Sequence, residues 1–132
     1  MREEIFCFLY HSQIAANADI SCVADIVKTA RHFNKGHQIT GMLVFDGQRF
    51  CQYIEGPKDK LQELIDRIAV DPRHCQFEAK HQGPVLAKRL FENWSMAYVL
   101  VDDSDPLDEL GKLDGTDAIH KLEQLLPMLD IA

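Results

Sequence analysis

At 132 residues, 46% of them hydrophobic and with only 7 glycines and 5 prolines, the chain suits one compact domain with its own core and leaves no room for a second full domain. A formal net charge of -7, with no dominant run among the 14 Lys and Arg residues, argues against a nucleic-acid partner, because phosphate backbones are held by clustered cations. No apolar run approaches the ~20 residues of a membrane-spanning helix, and the start MREEIFCFLY lacks a signal peptide's apolar core and cleavage site, so a cytoplasmic protein without membrane contact is expected.

Ile5 to Tyr10 alternates as a strand does, placing Phe6, Phe8 and Tyr10 on one apolar face. From Asp19 the period changes. Ile20, Val23, Val27, Ala30 and Asn34 fall on one helical stripe flanked by Ile26 and Phe33, with Gly36 as a C-terminal stop. Two strands follow, Gln38–Phe45 and Arg49–Glu55, joined by Asp46-Gly47-Gln48, whose Asp-Gly is a strong hairpin signal. In the second strand Phe50, Gln52 and Ile54 share one face and Cys51, Tyr53 and Glu55 the other, so the Gln52 amide sits between two apolar neighbours and needs partners.

Gly56-Pro57 opens a second helix with Leu61, Leu64, Ile65 and Ile68 at i, i+3, i+4 and i+7, and Asp71-Pro72 ends it. A weaker strand covers Cys75–His81. A connector starting at Pro84 passes Lys88-Arg89 and Phe91, and Trp94–Val101 reads as the last strand, with Trp94, Met96 and Tyr98 on one face. This order matches an α+β, ferredoxin-like βαββαββ sandwich, two helices covering one face of a mostly antiparallel sheet. The tail supplies cover for the other face: a short helix near Leu107–Lys112, then one from about Asp117 with Ile119, Leu122, Leu125, Leu126 and Leu129 on one side, kinked or ended by Pro127. The division expected is residues 1–101 as the principal domain and 102–132 as a C-terminal helical extension for capping or output.

Cys7, Cys22, Cys51 and Cys75 are spread out with no C-x-x-C pair and sit among apolar neighbours, which predicts buried reduced thiols and no metal. His11, His32, His37, His81 and His120 lack metal-ligand spacing and read as surface residues. Glu55 and Asp66 do not form a catalytic carboxylate pair.

Five separated segments together resemble the BLUF family, domains that sense blue light using flavin. They are the strand ending in Tyr10, then A-R-H-F-N-K-G-H-Q-I-T-G-M-L-V-F, F-C-Q-Y-I-E-G-P, D-P-R-H and F-E-N-W-S-M, spanning roughly Ile5 to Val101. The resemblance implies a flavin ring between the two helices above the sheet, with Tyr10 and Gln52 near its reactive edge. Asn34 matches a flavin-binding asparagine; Asp71, Arg73 and His74 match polar residues that help hold the flavin; Arg67 matches a further cofactor-side position. Trp94 and Met96 match a last-strand pair that exchanges contact with the switch glutamine. FAD is the family expectation, with FMN or riboflavin as alternatives, because the matched residues mostly grip the ring.

Strand parity agrees independently, placing Tyr10, Gln52 and Met96 among apolar neighbours suited to helix cover. Ile26, Phe33, Ile65 and Ile68 offer flat walls, and Asn34, Gln52 and Arg73 the few polar contacts a heterocycle needs. In the mechanism the resemblance implies, Tyr10 gives the excited flavin an electron and a proton, and both return after the Gln52 amide has changed orientation or tautomer. What persists is a rearranged hydrogen-bond network around an amide with an acceptor on one side and donors on the other. Two positions depart from the common pattern: Phe33 stands where a polar residue or histidine is frequent, and Ala30 where serine is, making that wall more apolar.

Each residue taken singly has a plainer role: Tyr10 as a strand tyrosine, Gln52 as a backbone bridge, Trp94 and Met96 as core filler, Asp71-Pro72-Arg73-His74 as a turn. Two other classes of protein fit the fold, a non-photoactive ligand-binding regulatory domain and a small hydrolase of acylphosphatase type. The hydrolase is disfavoured because His11-Ser12-Gln13-Ile14-Ala15-Ala16-Asn17 after the first strand lacks the glycines and arginine of a phosphate cradle. The expectation is therefore a photoreceptor, not an enzyme, regulating an unknown downstream protein by noncovalent contact. Signal passes from Gln52 through Met96 and Trp94 to the C-terminal helices, and a homo-oligomer of unreadable size is expected.

Overall fold

The computed structural model describes residues 4–19, 21–85, 96–101 and 105–125. In chain order these form β1 (Ile5–Ile14), α1 (Cys22–Gly36), β2 (Thr40–Phe45), β3 (Arg49–Pro57), α2 (Lys58–Ala69), β4 (His74–Pro84), β5 (Ala97–Leu100), α3 (Asp105–Gly111) and α4 (Gly115–Leu125). The sheet order is β4-β1-β3-β2-β5, antiparallel except for the β2–β5 pair. It is the expected ferredoxin-like α+β sandwich.

The sheet has two covered faces because each strand sends alternate side chains to opposite sides. On the first face Phe8, Tyr10, Leu43, Phe50 and Ile54 meet Val23 and Val27 of α1 and Leu61, Leu64 and Ile65 of α2. On the reverse face Cys7, Leu9, Met42, Val44, Cys51 and Val99 meet Leu107 and Leu110 of α3 and Ala118, Leu122 and Leu125 of α4. Each Leu, Ile or Phe fully withdrawn from water contributes about 1.5–3 kcal/mol. The tail helices cap the sheet of their own chain, as their apolar spacing predicts; Ile20, Leu126, Pro127 and Leu129 lie outside the described residues.

β1 runs four residues past Tyr10, through the polar His11-Ser12-Gln13. Hydrophobic patterning stops there, but β1 is a central strand bonded to β3 and β4, and that ladder carries it onward. The same pairing makes β4 longer than its weak pattern suggests. Gly47 takes φ 95° in the β2–β3 hairpin. At Gly41 a Cβ would lie 2.1 Å from the Tyr53 carbonyl oxygen, so only glycine lets β2 lie this close to β3.

Two expectations are corrected. His11 is buried at 7% exposure rather than at the surface, because its side of β1 lies under α3. Of the four thiols only Cys7 and Cys51 are buried; Cys22 is half-buried and Cys75, at the start of edge strand β4, is exposed.

Candidate functional site

A cavity of about 510 Å³ opens between α1 and α2 above the sheet. Ile26, Thr29, Ala30 and Phe33 line it from α1, Leu64, Arg67 and Ile68 from α2, and Leu43 and Phe50 from the sheet. Tyr10 and Gln52 lie in its lining with them, and Asp71, Pro72, Arg73 and His74 border it after α2. Its size falls within the about 300–1,000 Å³ of small-molecule sites, and mostly apolar walls with a few converging polar groups are their usual chemistry.

Tyr10 and Gln52 stand directly opposite each other in the β1–β3 register. The Tyr10 hydroxyl donates to Gln52 Oε1 at 2.6 Å, and Gln52 Nε2 faces Met96 Sδ at 3.6 Å. The three side chains thus form one directed chain from phenol through amide to thioether. Burial, then the proximity of Cys51 and Asp71, pushes the Tyr10 pKa far up, so the hydroxyl keeps its proton. Phe77 of β4 packs on the Tyr10 ring at 5.0 Å, and His74 meets it edge-on at 5.9 Å.

His74 has both ring nitrogens occupied. Nε2 lies 2.6 Å from the Ile68 carbonyl, to which it donates, and Nδ1 is hydrogen-bonded with the Ser12 hydroxyl, 2.8 Å away. It ties the end of α2 to β1. Arg73 forks onto the Asp71 carboxylate through Nε at 2.9 and 3.1 Å and through a terminal nitrogen at 2.5 Å. These hydrogen bonds hold the Asp71 carboxyl below the usual carboxylate range and raise the Arg73 guanidinium. Arg67 lies over the Phe33 ring at 4.8 Å, and His37 stacks on that ring at 3.9 Å. The aromatic ring at Phe33 therefore contacts both a guanidinium and an imidazole and joins α1 to α2.

Of the residues singled out in the sequence, Tyr10, Ile26, Phe33, Gln52, Arg67, Ile68, Asp71, Arg73 and His74 all line the cavity. Ile65 does not; it is committed to the core under α2. Asn34 is fully buried at the end of α1 and is not part of the lining, while its carbonyl accepts from the amides of His37 and Ile39. Met96 reaches the site through Gln52, and Trp94 lies outside the described residues. Sequence reasoning missed Arg31, whose Nε donates to the Met96 carbonyl at 2.9 Å, and the packing of Phe77 on Tyr10. Neither contact has a local sequence signal, since both join residues brought together by the sheet order.

An apolar cleft between two helices, ending on a tyrosine–glutamine pair, defines a small-heterocycle-binding α+β domain rather than a phosphate-cradling hydrolase. The chain belongs to the BLUF family, sensors of blue-light using FAD, whose model matches residues 5–97. It is 32% identical over 66 residues to the blue light- and temperature-regulated antirepressor BluF of Escherichia coli (strain K12); that stretch is 50% of this chain and 16% of the relative, so the chain spans about a sixth of that protein. The dark-state structure of the BLUF protein BlrB superposes with a TM-score of 0.78 at 29% identity, covering 96% of this chain and 97% of that one. BlrP1 of Klebsiella pneumoniae, solved with FMN and cyclic diGMP, gives a TM-score of 0.67 at 28% identity over 95% of this chain and 30% of that one.

The cavity fits the isoalloxazine of a flavin. Ile26 and Phe33 from α1 and Ile68 from α2 can flank a flat ring, and the Tyr10–Gln52 pair would offer it a polar edge. Arg67 and the Asp71–Arg73 fork add the charged groups of the lining.

Proposed function

We propose that the protein is a blue-light sensor in which Tyr10, Gln52 and Met96 convert absorption by a flavin into a lasting change of hydrogen bonding. The observation that carries this reading is the directed chain from the Tyr10 hydroxyl through the Gln52 amide to Met96 at one cavity. A flavin bound there supplies the blue-light chromophore and a transient electron acceptor.

Tyr10 does the redox work on the protein side. Buried and protonated, it loses an electron on illumination; the oxidised phenol becomes strongly acidic, and its proton is released along the 2.6 Å bond to Gln52 Oε1. Electron and proton return to Tyr10, so the side chain ends unchanged. Gln52 does not return at once, because an amide can re-pair with its carbonyl and amino ends exchanged, or as the imidic tautomer. The contact to Met96 then changes with it. The strand that follows Met96 is joined to α1 through the Arg31 side chain, which gives Met96 a fixed backbone against which its side chain moves.

Family membership supports a flavin; the finer choice is FAD, the cofactor named for the family, although the relative BlrP1 was solved with FMN. Asn34 belongs to the same reading as a residue that holds the ring's pyrimidine edge once its amide turns toward the cavity. The protein would work in the cytoplasm, associate with copies of itself and act on a partner protein by contact rather than by catalysis. Among the described residues no helix is long and apolar enough to cross a membrane.

The test is spectroscopic. Purified protein is expected to be yellow, its flavin band shifting slightly to the red under blue light and returning in the dark. A chain that cannot be loaded with any flavin overturns the reading, and mass spectrometry of the cofactor released on heating decides between FAD and FMN.

A further inference from the structure

The neighbours of the switch residues point the other way. His11 and Cys51 pair across β1 and β3 on the rung next to Tyr10 and Gln52, and both face the reverse side of the sheet, beneath α3. There the His11 ring lies beside the backbone of Leu107, and its Nε2 is buried without a hydrogen-bond partner among the described residues. A Cβ on Gly111 would meet the His11 ring at 3.0 and 3.1 Å, so the end of α3 lies directly on the imidazole.

Lys80 completes this contact. Between the pairs Leu9↔His81 and Tyr10↔Ala79, β4 carries one residue more than β1, and Lys80 is that extra residue. Lys80, on the same side of the sheet as Glu78 and His11, lies under the C-terminal helices with its side chain only 2% exposed, where Nζ donates to the Gly111 carbonyl at 2.8 Å and pairs with Glu78 at 3.0 Å and Asp114 at 3.5 Å. An ammonium group is rarely buried without a purpose, since desolvation is costly unless every donor is engaged. Here one donor meets the Glu78 carboxylate, another meets the last carbonyl of α3, and Asp114 adds a second opposite charge.

We propose that His11 and Lys80 form the output clamp of the sensor, holding the end of α3 against the reverse side of the rungs that carry Tyr10 and Gln52 and releasing the α3–α4 layer when those rungs shift in light. This rests on the Tyr10–Gln52 switch. It assigns the signal a path through the thickness of the sheet, one residue long, in addition to the path along β5. His11 and Lys80 are positioning residues and touch no cofactor.

The test uses the full flavin-loaded chain, with hydrogen exchange of residues 105–125 followed in darkness and under blue light. In the native sequence, light is expected to raise exchange across α3 and α4 several-fold. Lys80→Met, which keeps the stem and removes the ammonium, is expected to leave the size of the red shift unchanged. It should bring dark exchange of the cap to the lit level and slow dark recovery, because a cap already free no longer favours the dark arrangement. Gly111→Ala, which pushes the end of α3 off His11, is expected to act in the same direction, and Lys80→Arg to restore most of the light–dark difference. A normal red shift with no light-dependent change in the cap overturns the clamp alone, as does a native-like light–dark difference in both Lys80→Met and Gly111→Ala. Loss of the spectral response in the native protein overturns the switch, and the clamp's role in output with it.

Discussion

The Tyr10 hydroxyl and the Gln52 carbonyl oxygen are 2.6 Å apart on residues that the β1–β3 ladder sets directly opposite each other. The bond is therefore built into the strand register. A one-residue slip would turn Tyr10 to the other face and abolish it.

Tyr10→Phe removes the donor and leaves a buried amide oxygen without its partner. We expect the variant to bind flavin, to give no red-shifted photoproduct, and to lose about 1–3 kcal/mol of stability, the cost of an unsatisfied buried group. Light-minus-dark absorption and thermal unfolding of the loaded protein check the two parts separately.

Arg31→Gln breaks the bond to the Met96 carbonyl at the entry to β5, a four-residue edge strand. The expected loss is about 1 kcal/mol, since the bond is charge-assisted but partly exposed to water. Faster exchange confined to the amides of residues 97–100, with that of β1 and β3 unchanged, would identify the local origin of the effect.

Phe33→Ala removes the ring that both Arg67 and His37 contact and opens the cavity between α1 and α2. Losing the cation–π contact and part of the wall should weaken flavin binding by about 1 kcal/mol, roughly fivefold. Titration of the apoprotein with FAD, read by quenching of flavin fluorescence, measures this directly.

The Asp71–Arg73 fork sets an acid limit. Its hydrogen bonds hold the Asp71 carboxyl below its ordinary value of 3.8, so the folded form binds this proton less readily than the unfolded chain. The pair's contribution is complete above about pH 4 and is lost as pH falls through the depressed folded value. Asp71→Asn should remove this part of the acid transition while lowering stability at neutral pH. Unfolding monitored by the emission of the single tryptophan between pH 2 and 7 compares the two.

Much of this was legible in the sequence where patterning and chemistry coincide. Alternation around Phe8-Tyr10 and Phe50-Gln52-Ile54 placed both switch residues on the helix-covered face, and Asp46-Gly47 placed the hairpin that sets β2 against β3. What escaped has one physical origin: both faces of the sheet are covered, so polar residues of either parity are buried. His11 looks exposed when β1 is ended at Tyr10 and becomes buried once the strand is extended under α3. Lys80 was invisible because the groups that bury it, Gly111 and Asp114, lie 31 residues or more further along the chain, and Arg31 because its partner lies 65 residues away. Ile65, helical and apolar like its neighbour Ile68, went to the core rather than the cavity, a difference of rotation about α2 that spacing alone does not resolve.

The β1–β4 ladder breaks register twice, between Leu9 and Tyr10 and again between His11 and Gln13, whereas the β1–β3 ladder runs unbroken from Ile5 to Gln13. In mechanical terms β1 is stiffly welded along one edge and jointed along the other. The Tyr10 and His11 rungs form a short plate between two expansion joints, free to tilt against β4 without dragging the rest of that strand. A shift of this plate would keep its register with β3 while moving His11 relative to Lys80 across the joint.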